Sequence, residues 1–500
     1  MREHDAAIAN YRERLLDAAM QTMSQEDVGA VEAAADYAIA AHDGQIRISG
    51  LPYVTHPLET ARKLAAMQLP REVVIAGVLH DVYEDTNRTL EDIARVFGPQ
   101  VAHLVSGVTK VGKVQLRGEQ RYIENLRKMF VALAEDVRVM FIKFADRLHN
   151  LEDLEVVEPV KRHRIAMEAL EIYAPIANRF GMMSIKAQLE DLAFPFAHPE
   201  DAAWVQSLVA ETVQERSALC IQMTEELRRI LTIKNIAFES LSSRMKHRYS
   251  VYQKLLQHDR DITQIYDLTA LRIVVHDIAD CYAVLGAIHQ RWKPLKGRIK
   301  DYIANPKPNG YQSIHTTIVA DAGGCVELQI RTPQMHEEAE WGAAAAWRYH
   351  ERGSYRPPER QLRWVHDLIE WQRSIKDPQD FLAGLKTEVL RDRILVFTPR
   401  GDVIDLPEGA TPLDFAYQIH TGIGHRAIGA RVNGKQALQP LDKPLQSGDL
   451  VEIITDPKRK GPSPDWLYIV RTTYARAKIK EALRAQLRNQ TSSWDAAKHA

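Results

Sequence analysis

The sequence predicts a multidomain α+β chain: an all-helical N-terminal domain, a mixed α/β domain in the middle and a small β-rich domain towards the C-terminal end. Three observations predict it. The 500 residues exceed what one hydrophobic core ordinarily supports. Apolar residues keep a helical period to about residue 195, then give way to strand-like runs. A break at Gly353 to Pro358 is followed by a helical pattern and then by short β segments between turn residues.

Each element follows in order. In residues 1–195 the helical period is clearest at Val73, Val74, Ala76, Val78 and Leu79, and again at Val137, Val139, Met140, Ile142 and Phe144. Turn signals at Ser49-Gly50-Leu51-Pro52 and Phe97-Gly98-Pro99 separate helices, and one helix is expected from roughly Arg71 to Asp85. Residues 196–240 are charged and helical, either a connector, whose position suits a lever between its neighbours, or bracing helices. Residues 241–355 form the mixed domain, with strands expected over 271–275, 314–319 and 326–330 and helices over 243–254, 280–292 and about 337–349. Residues 356–391 read as a helical linker. Over 392–456 a hairpin turning at Arg400-Gly401, a short helix over 413–420 and strands over 430–433 and 450–455 make a small β-grasp barrel. Residues 457–500 begin a basic helical region.

Bulk properties exclude several classes. The formal net charge is −1, so no global field draws the chain onto nucleic acid, and any such contact needs a local patch. Cys220, Cys281 and Cys325 form no CxxC pair, which excludes a zinc ribbon and a disulfide framework and suits a reducing compartment. Met1 to Asp5 leads into charged sequence without the apolar core of a signal peptide. No apolar run is long enough to span a bilayer, so a cytoplasmic location and no membrane partner are expected.

Two groups of residues carry chemistry. In the helical domain, His80 and Asp81 are adjacent, with Glu84 and Asp85 one turn on. Imidazole nitrogen and carboxylate together suit a divalent ion. His56 and Asp146 could complete such a shell; taken alone, His56 or His149 is better read as a hydrogen-bonded core histidine. Asp146 interrupts an apolar helix, where an unpaired carboxylate is costly. Glu84 and Asp85 either orient a water or sit in solvent at a helix end. Arg47 and Lys143 either bind phosphates or are surface cations.

The second group lies in the mixed domain. From Arg291 to Gly310 there are six Lys/Arg against one acid, Asp301. Glycine, fixed turns and clustered cations suit a loop that meets a highly anionic ligand, and Tyr311 offers a ring for a base to stack on. Asp267 precedes one strand, and Glu327 and Gln329 share a face of another. Two carboxylates beside a basic loop suit Mg2+ and general-base work in phosphoryl or pyrophosphoryl transfer. The helix expected over 243–254 would put Arg244 over Arg248, and Lys246, Ser250 and Lys254 on a common face. His315 is either a phosphate donor or a structural histidine.

Several separate segments resemble the RelA/SpoT-homologue family of alarmone synthetase/hydrolases, in its long form. They are His42-Asp43-Gly44-Gln45-Ile46-Arg47 with His56-Pro57, Leu79-His80-Asp81-Val82-Tyr83-Glu84-Asp85, and Ala145-Asp146-Arg147-Leu148-His149-Asn150. In the middle come Arg298-Ile299-Lys300-Asp301, the run from Lys307 to Thr317, and Glu327-Leu328-Gln329-Ile330-Arg331. Leu413-Asp414-Phe415-Ala416-Tyr417 with Gly424-His425-Arg426 resembles a TGS domain. The resemblance implies an HD-type hydrolase domain, a nucleotidyltransferase-like synthetase domain and a TGS domain. The synthetase would transfer pyrophosphate from ATP to the 3′-hydroxyl of GDP or GTP. The hydrolase would remove that 3′-pyrophosphate from (p)ppGpp.

The implied site residues follow motif by motif. His56, His80, Asp81 and Asp146 would hold Mn2+, with Glu84 and Asp85 assisting and Arg47, Lys143 and Asn150 on the nucleotide. Asp267 and Glu327 would hold Mg2+, with Glu327 also the base. Tyr311 would stack on guanine, and Arg244 and Arg272 would flank adenine. Lys246, Ser250, Lys254, Lys300, Lys307, His315 and Arg331 would handle phosphates, with Asn309 and Gln329 in the same pocket. The basic tetrad from Arg298 to Asp301 resembles that of members with both activities. Two positions depart from the family pattern: Ala345-Ala346-Trp347 replaces Ala-Ala-His-Trp, and Leu51 replaces a common Glu. TGS domains of the family meet uncharged tRNA on ribosomes, which points to His420 or His425. Long members continue into further regulatory domains, so a C-terminally shortened chain is expected.

Overall fold

A computed structural model describes residues 2–110, 118–321, 323–350, 365, 384–385, 393–459 and 461–498. The chain divides into two compact units, Met1–Ser374 and Ile375–Ala500. The expected break at Gly353 to Pro358 and most of the expected 356–391 linker lie outside the described residues.

The first unit opens with helices from Arg2–Met20 to Met183–Ala197. Helix Thr55–Ala66 packs on Arg71–Leu79 and on Arg138–Glu152, joined by buried Leu58, Leu64, Val74, Val78, Phe141 and Phe144. Gly77 permits the first of these approaches. A Cβ there would lie 2.4 Å from Leu64 Cδ1 and 3.5 Å from Ala61 Cα. The expected single helix over 71–85 is a correction: it ends at Leu79, and Val82–Asp85 is a separate turn. The cause is local. His80 Nδ1 bonds the Gly77 carbonyl at 2.7 Å, the acceptor that the Asp81 amide would use in a continuing helix.

The mixed domain is a five-stranded sheet in the order β1-β2-β5-β4-β3, with β1 Ser240–Met245, β2 Thr269–Val274, β3 Pro294–Asp301, β4 Ile314–Val319 and β5 Cys325–Arg331. Only β2 and β5 run parallel; the other pairs are antiparallel. One face is apolar. Leu271, Ile273, Ile314, Ile318, Leu328 and Ile330 pack there with Val284 and Ile288 and with Met223, Leu227 and Leu231. Since β residues alternate faces, the other face collects the polar ones.

Three expectations need correction here, and the alternatives for residues 196–240 are decided for bracing. The helix expected over 243–254 is β1 followed by a helix at Arg248–Gln257, so Arg244 and Arg248 do not share a helix face. The basic stretch expected to be loop contains β3, an exposed edge strand paired to β4. The closing helix breaks at Gly342 into Pro333–Trp341 and Ala343–His350. The 196–240 connector is mostly one helix, Pro199–Ile233, and its second half is built into the sheet's core. It is therefore part of the mixed domain's packing.

The two halves of this unit meet at several points, among them Asp191, which accepts from the Tyr249 amide and meets His247, and a corner earlier in the chain. Residues 178–182, between helices Ala174–Arg179 and Met183–Ala197, touch the mixed domain twice. Asn309 Nδ2 donates to the Asn178 carbonyl at 3.1 Å, and the Ala343 amide donates to the Phe180 carbonyl at 2.8 Å. Gly342 has φ +51°, and a Cβ there would sit 2.0 Å from the Phe180 carbonyl oxygen. Only glycine satisfies both conditions.

In the second unit, β6 Arg393–Phe397 and β7 Val403–Pro407 form the expected hairpin, and β8 Ala427–Val432 pairs with β9 Val451–Thr455. Helix Pro412–Ile419 starts at a capping box of Thr411 and Asp414. Asp414 also accepts from the Thr472 amide and hydroxyl, both at 2.8 Å. Leu413, Ala416 and Tyr417 are buried with Trp466, Val470 and Ile479. The β domain's own core ends at Val451, within the expected boundary at residue 456, and 466–479 packs a second cluster on its helix. Among the described residues no helix is long and apolar enough to cross a membrane.

Candidate functional site

Two polar clusters stand out, both in the first unit. The first sits where helix Thr55–Ala66, the His80-Asp81 break and helix Arg138–Glu152 meet. His56, His80 and Asp146 offer ligand atoms within 4.8 Å of one another. Asp81 joins them, with Oδ1 3.2 Å from His80 Nε2 and Oδ2 3.7 Å from His56 Nε2. The structure brings all four expected ligands together.

The hydrogen bonds say where the ring protons are. Arg47 Nη1 lies 3.2 Å from His149 Nδ1, and a guanidinium can only donate. His149 Nδ1 is therefore an acceptor. His56 Nδ1, 2.7 Å from the same atom, must then carry a proton and donate it. That leaves the His56 Nε2 lone pair 3.3 Å from Asp146 Oδ1. By the same logic His80 donates from Nδ1 to Gly77, and its buried Nε2 has no hydrogen-bond partner. Two nitrogen lone pairs and two carboxylates thus converge with no proton between them. Such an acceptor-only set fits a divalent cation.

The surroundings fix this geometry. Asn150 Nδ2 donates to Asp146 Oδ1 at 2.6 Å, and Lys143 Nζ lies 3.3 Å from Oδ2. Burial opposes the Asp146 charge, but Lys143 beside it holds its carboxyl well below the usual range. Burial, with His56 and Arg47 beside it, pushes His149 down to about 2, which keeps it neutral. Arg47 is anchored on Asp153 at 3.1 Å. Tyr53 donates to Asp85 at 2.8 Å and lies 3.3 Å from Asp81. Glu84 and Asp85 are exposed on the turn that follows.

The second cluster is the polar face of the sheet, and strand register builds it. Arg272 is opposite Gln329, Gln329 opposite His315, and His315 opposite Lys300. Opposite residues share a face, so these four form a row across β2, β5, β4 and β3. Glu327 and Arg331 flank Gln329 on the same face. Glu327 Oε1 accepts from His315 Nδ1 at 2.9 Å, and Tyr311 OH meets His315 Nε2 at 2.8 Å. Burial lowers the His315 pKa despite Glu327. The neutral ring then passes a chain of donors from Tyr311 through His315 to Glu327. With both nitrogens engaged, His315 takes the structural alternative in this state. Burial works against charge on Glu327, but His315 outweighs it and holds the carboxyl below the usual value.

Beyond β2, Asp267 pairs with Lys246 at 2.6 Å and closely with Lys254. Burial opposes its charge, yet the two ammonium groups hold it down to about 2. Burial also brings Lys246 down to about 8, against the pull of Asp267. Ser250 is half-buried on the helix that carries Lys254. Lys307 lies 4.9 Å from the Tyr302 ring centre and 5.3 Å from that of Tyr311. Asn309, expected on substrate, spends its amide on Asn178 and its side-chain oxygen on the Tyr311 amide at 3.2 Å.

Two residues absent from the expected set belong here. His336 and Glu340 follow Arg331 on helix Pro333–Trp341. Arg331 Nη2 is 2.6 Å from His336 Nδ1 and 3.3 Å from Glu340 Oε1, and Arg272 Nη2 is 3.2 Å from the same oxygen. The available signal was their i, i+4 spacing.

Comparison with known proteins follows the same division. Residues 34–183 match the HD domain, residues 243–354 match the region found in RelA / SpoT proteins, and residues 394–455 match the TGS domain. A GTP pyrophosphokinase of Streptomyces coelicolor is 46% identical over 457 residues, covering 88% of this chain and 54% of that protein. A GTP pyrophosphokinase of Myxococcus xanthus is 43% identical over 470 residues, covering 93% and 62%. The bifunctional (p)ppGpp synthase/hydrolase SpoT of Escherichia coli is 43% identical over 456 residues, covering 91% and 64%. The chain thus spans between about half and two thirds of the length of these relatives.

Proposed function

The chain belongs to the RelA/SpoT family, and from that premise we propose that it is a bifunctional alarmone enzyme with two separate sites. At the sheet face it transfers pyrophosphate from ATP to the 3′-hydroxyl of GDP or GTP. At the helical cluster it hydrolyses the 3′-pyrophosphate of (p)ppGpp back to GDP or GTP. The observation that carries this reading is the pairing of an acceptor-only His/Asp cluster with a distinct cation-rich sheet face in one unit.

For synthesis, Glu327 is the base. It takes the proton from the ribose 3′-hydroxyl as that oxygen attacks the β-phosphorus of ATP and AMP leaves. Lys246 and Lys254 are held beside Asp267 and turn to the phosphates when nucleotide enters. Lys300, Lys307 and Arg331 add charge along the same face, and the Tyr311 ring receives guanine. Asp267 and Glu327 are the acidic pair for Mg2+.

For hydrolysis, His56, His80, Asp81 and Asp146 hold the divalent ion, for which we propose Mn2+. The ion supplies Lewis acidity towards a phosphoryl oxygen and acidifies water. The chain's own residues set the geometry: Arg47 and His149 keep the His56 proton on Nδ1, and Asn150 and Lys143 orient Asp146. Asp85, in contact with Tyr53, and Glu84 beside it receive protons from the attacking water. Arg47 and Lys143 lie where nucleotide phosphates approach. In the second unit His420 is exposed while His425 packs on Tyr417, so His420 is the candidate for contact with uncharged tRNA on the ribosome.

A paired assay tests the reading. Wild type, Asp81→Ala and Glu327→Gln are each assayed for synthesis from ATP plus GDP and for release of pyrophosphate from ppGpp. Asp81→Ala is expected to lose degradation by ~10³-fold and keep synthesis, with Glu327→Gln the reverse, the scale seen when a ligand or base is removed. Loss of both activities in either variant would overturn the two-site reading.

A further inference from the structure

The region around Arg272 and Arg331 gathers more positive charge than its one carboxylate balances. Arg331 is 1% exposed, an unusual place for a guanidinium unless it is held on several sides. Arg272 is its neighbour, and the two repel: burial first, then Arg331, brings Arg272 down to about 10. Arg244 on β1 adds a third positive charge felt by both. One carboxylate answers them. Glu340 Oε1 is 3.2 Å from Arg272 Nη2 and 3.3 Å from Arg331 Nη2.

His336, one turn earlier on the same helix, completes the clamp. Burial and the two arginines push it down to about 4. It is then neutral, and its Nδ1 accepts from Arg331 Nη2 at 2.6 Å. Each guanidinium is therefore fastened by Nη2, while its Nε is buried with no hydrogen-bond partner among the described residues. Three cations against one carboxylate leave an excess of positive charge, which suits an incoming anion.

We propose that Glu340, with His336, is a positioning residue of the synthetase site: it holds Arg272 and Arg331 together so that their remaining donors receive a nucleoside triphosphate. This rests on the synthetase reading given above. Glu340 does not touch the reacting atoms; it acts through the two arginines. Helix Pro333–Trp341 is itself stopped at Gly342 against the Phe180 carbonyl, so the clamp has a rigid backing.

The test uses the full chain. Binding of a non-hydrolysable ATP analogue with Mg2+ is measured by calorimetry, and synthesis is measured with ATP and GDP varied in turn. Glu340→Gln keeps the shape and loses the charge. It is expected to weaken analogue binding and raise the KM for ATP by roughly tenfold, the size of a lost hydrogen bond to a charged group. The KM for GDP and the rate of ppGpp degradation are expected to stay at wild-type values, the latter reporting that the fold is intact. His336→Gln should weaken binding by about threefold, since it removes a neutral acceptor. Glu340→Asp should recover part of the loss. Unchanged or tighter analogue binding by Glu340→Gln, with wild type binding normally, overturns the proposal and leaves the synthetase reading standing. A wild-type chain that neither binds the analogue nor makes product overturns both.

Discussion

The helical cluster and the sheet face use similar residues to opposite effect. Both place a histidine beside a carboxylate. In the helical cluster, His56 and His80 turn lone pairs towards Asp81 and Asp146, so acceptors face acceptors. On the sheet face, His315 turns an N–H towards Glu327, and Lys246 and Lys254 close on Asp267. The first arrangement is incomplete without a cation. The second is satisfied within the protein. What separates them is which ring nitrogen faces the carboxylate, the bare Nε2 of His56 and His80 or the protonated Nδ1 of His315.

The sharpest way to break this comparison is to add the ion. Mn2+ at about 100 times its Kd should stabilise the wild type by ~2.7 kcal/mol if it binds only the folded form. A thermal melt would show the shift, and His80→Ala should abolish it while Glu327→Gln retains it. Equal stabilisation of both variants would erase the distinction.

A smaller effect comes from acid. Asp267 is held at about 2 in the folded chain, below its unfolded value, so it contributes stability above the unfolded pKa that is lost as pH falls towards 2. The loss amounts to about 2 kcal/mol for a shift of this size. Denaturant midpoints from about pH 4.5 to pH 2.5 should fall more steeply for wild type than for Asp267→Asn. Parallel curves would mean that the lysines do not hold this carboxylate.

The smallest expected change is kinetic. His315 donates to Glu327 and lowers its pKa, so a replacement without that donor frees the carboxylate to rise. For His315→Ala the acidic limb of the synthesis pH profile should move up. A limb that moves down, or stays, would remove Glu327 from the role of base.

Much of this was legible in the chain. Of the four candidate ion ligands His80 and Asp81 are adjacent in sequence, and His56 and Asp146 were legible through the family pattern of short runs around them. Glu327 and Gln329 follow from strand alternation, and the expected strands over 271–275, 314–319 and 326–330 overlap β2, β4 and β5. The misreadings share one cause. β1 and β3 are polar edge strands with no buried residue, so neither shows the alternation that a half-buried strand prints on its sequence. Ser243 to Lys254 then passed for one helix, and the stretch around Gly297 for loop. The proton positions were out of reach for another reason. They depend on Arg47 meeting His149, 102 residues away. Glu340 and His336 were passed over because an acid one turn from a histidine looks like any solvated helix face.

Residues 178–182 have a practical consequence for anyone splicing relatives of this chain. They lie on the helical side of the domain division, yet their carbonyls receive Asn309 and Ala343 from the mixed domain. A chimera joined downstream of them, at residue 196 say, would set a foreign corner against Gly342, where not even a methyl group fits. The crossover belongs upstream of Asn178, so that donor and acceptor of each of these contacts come from one parent.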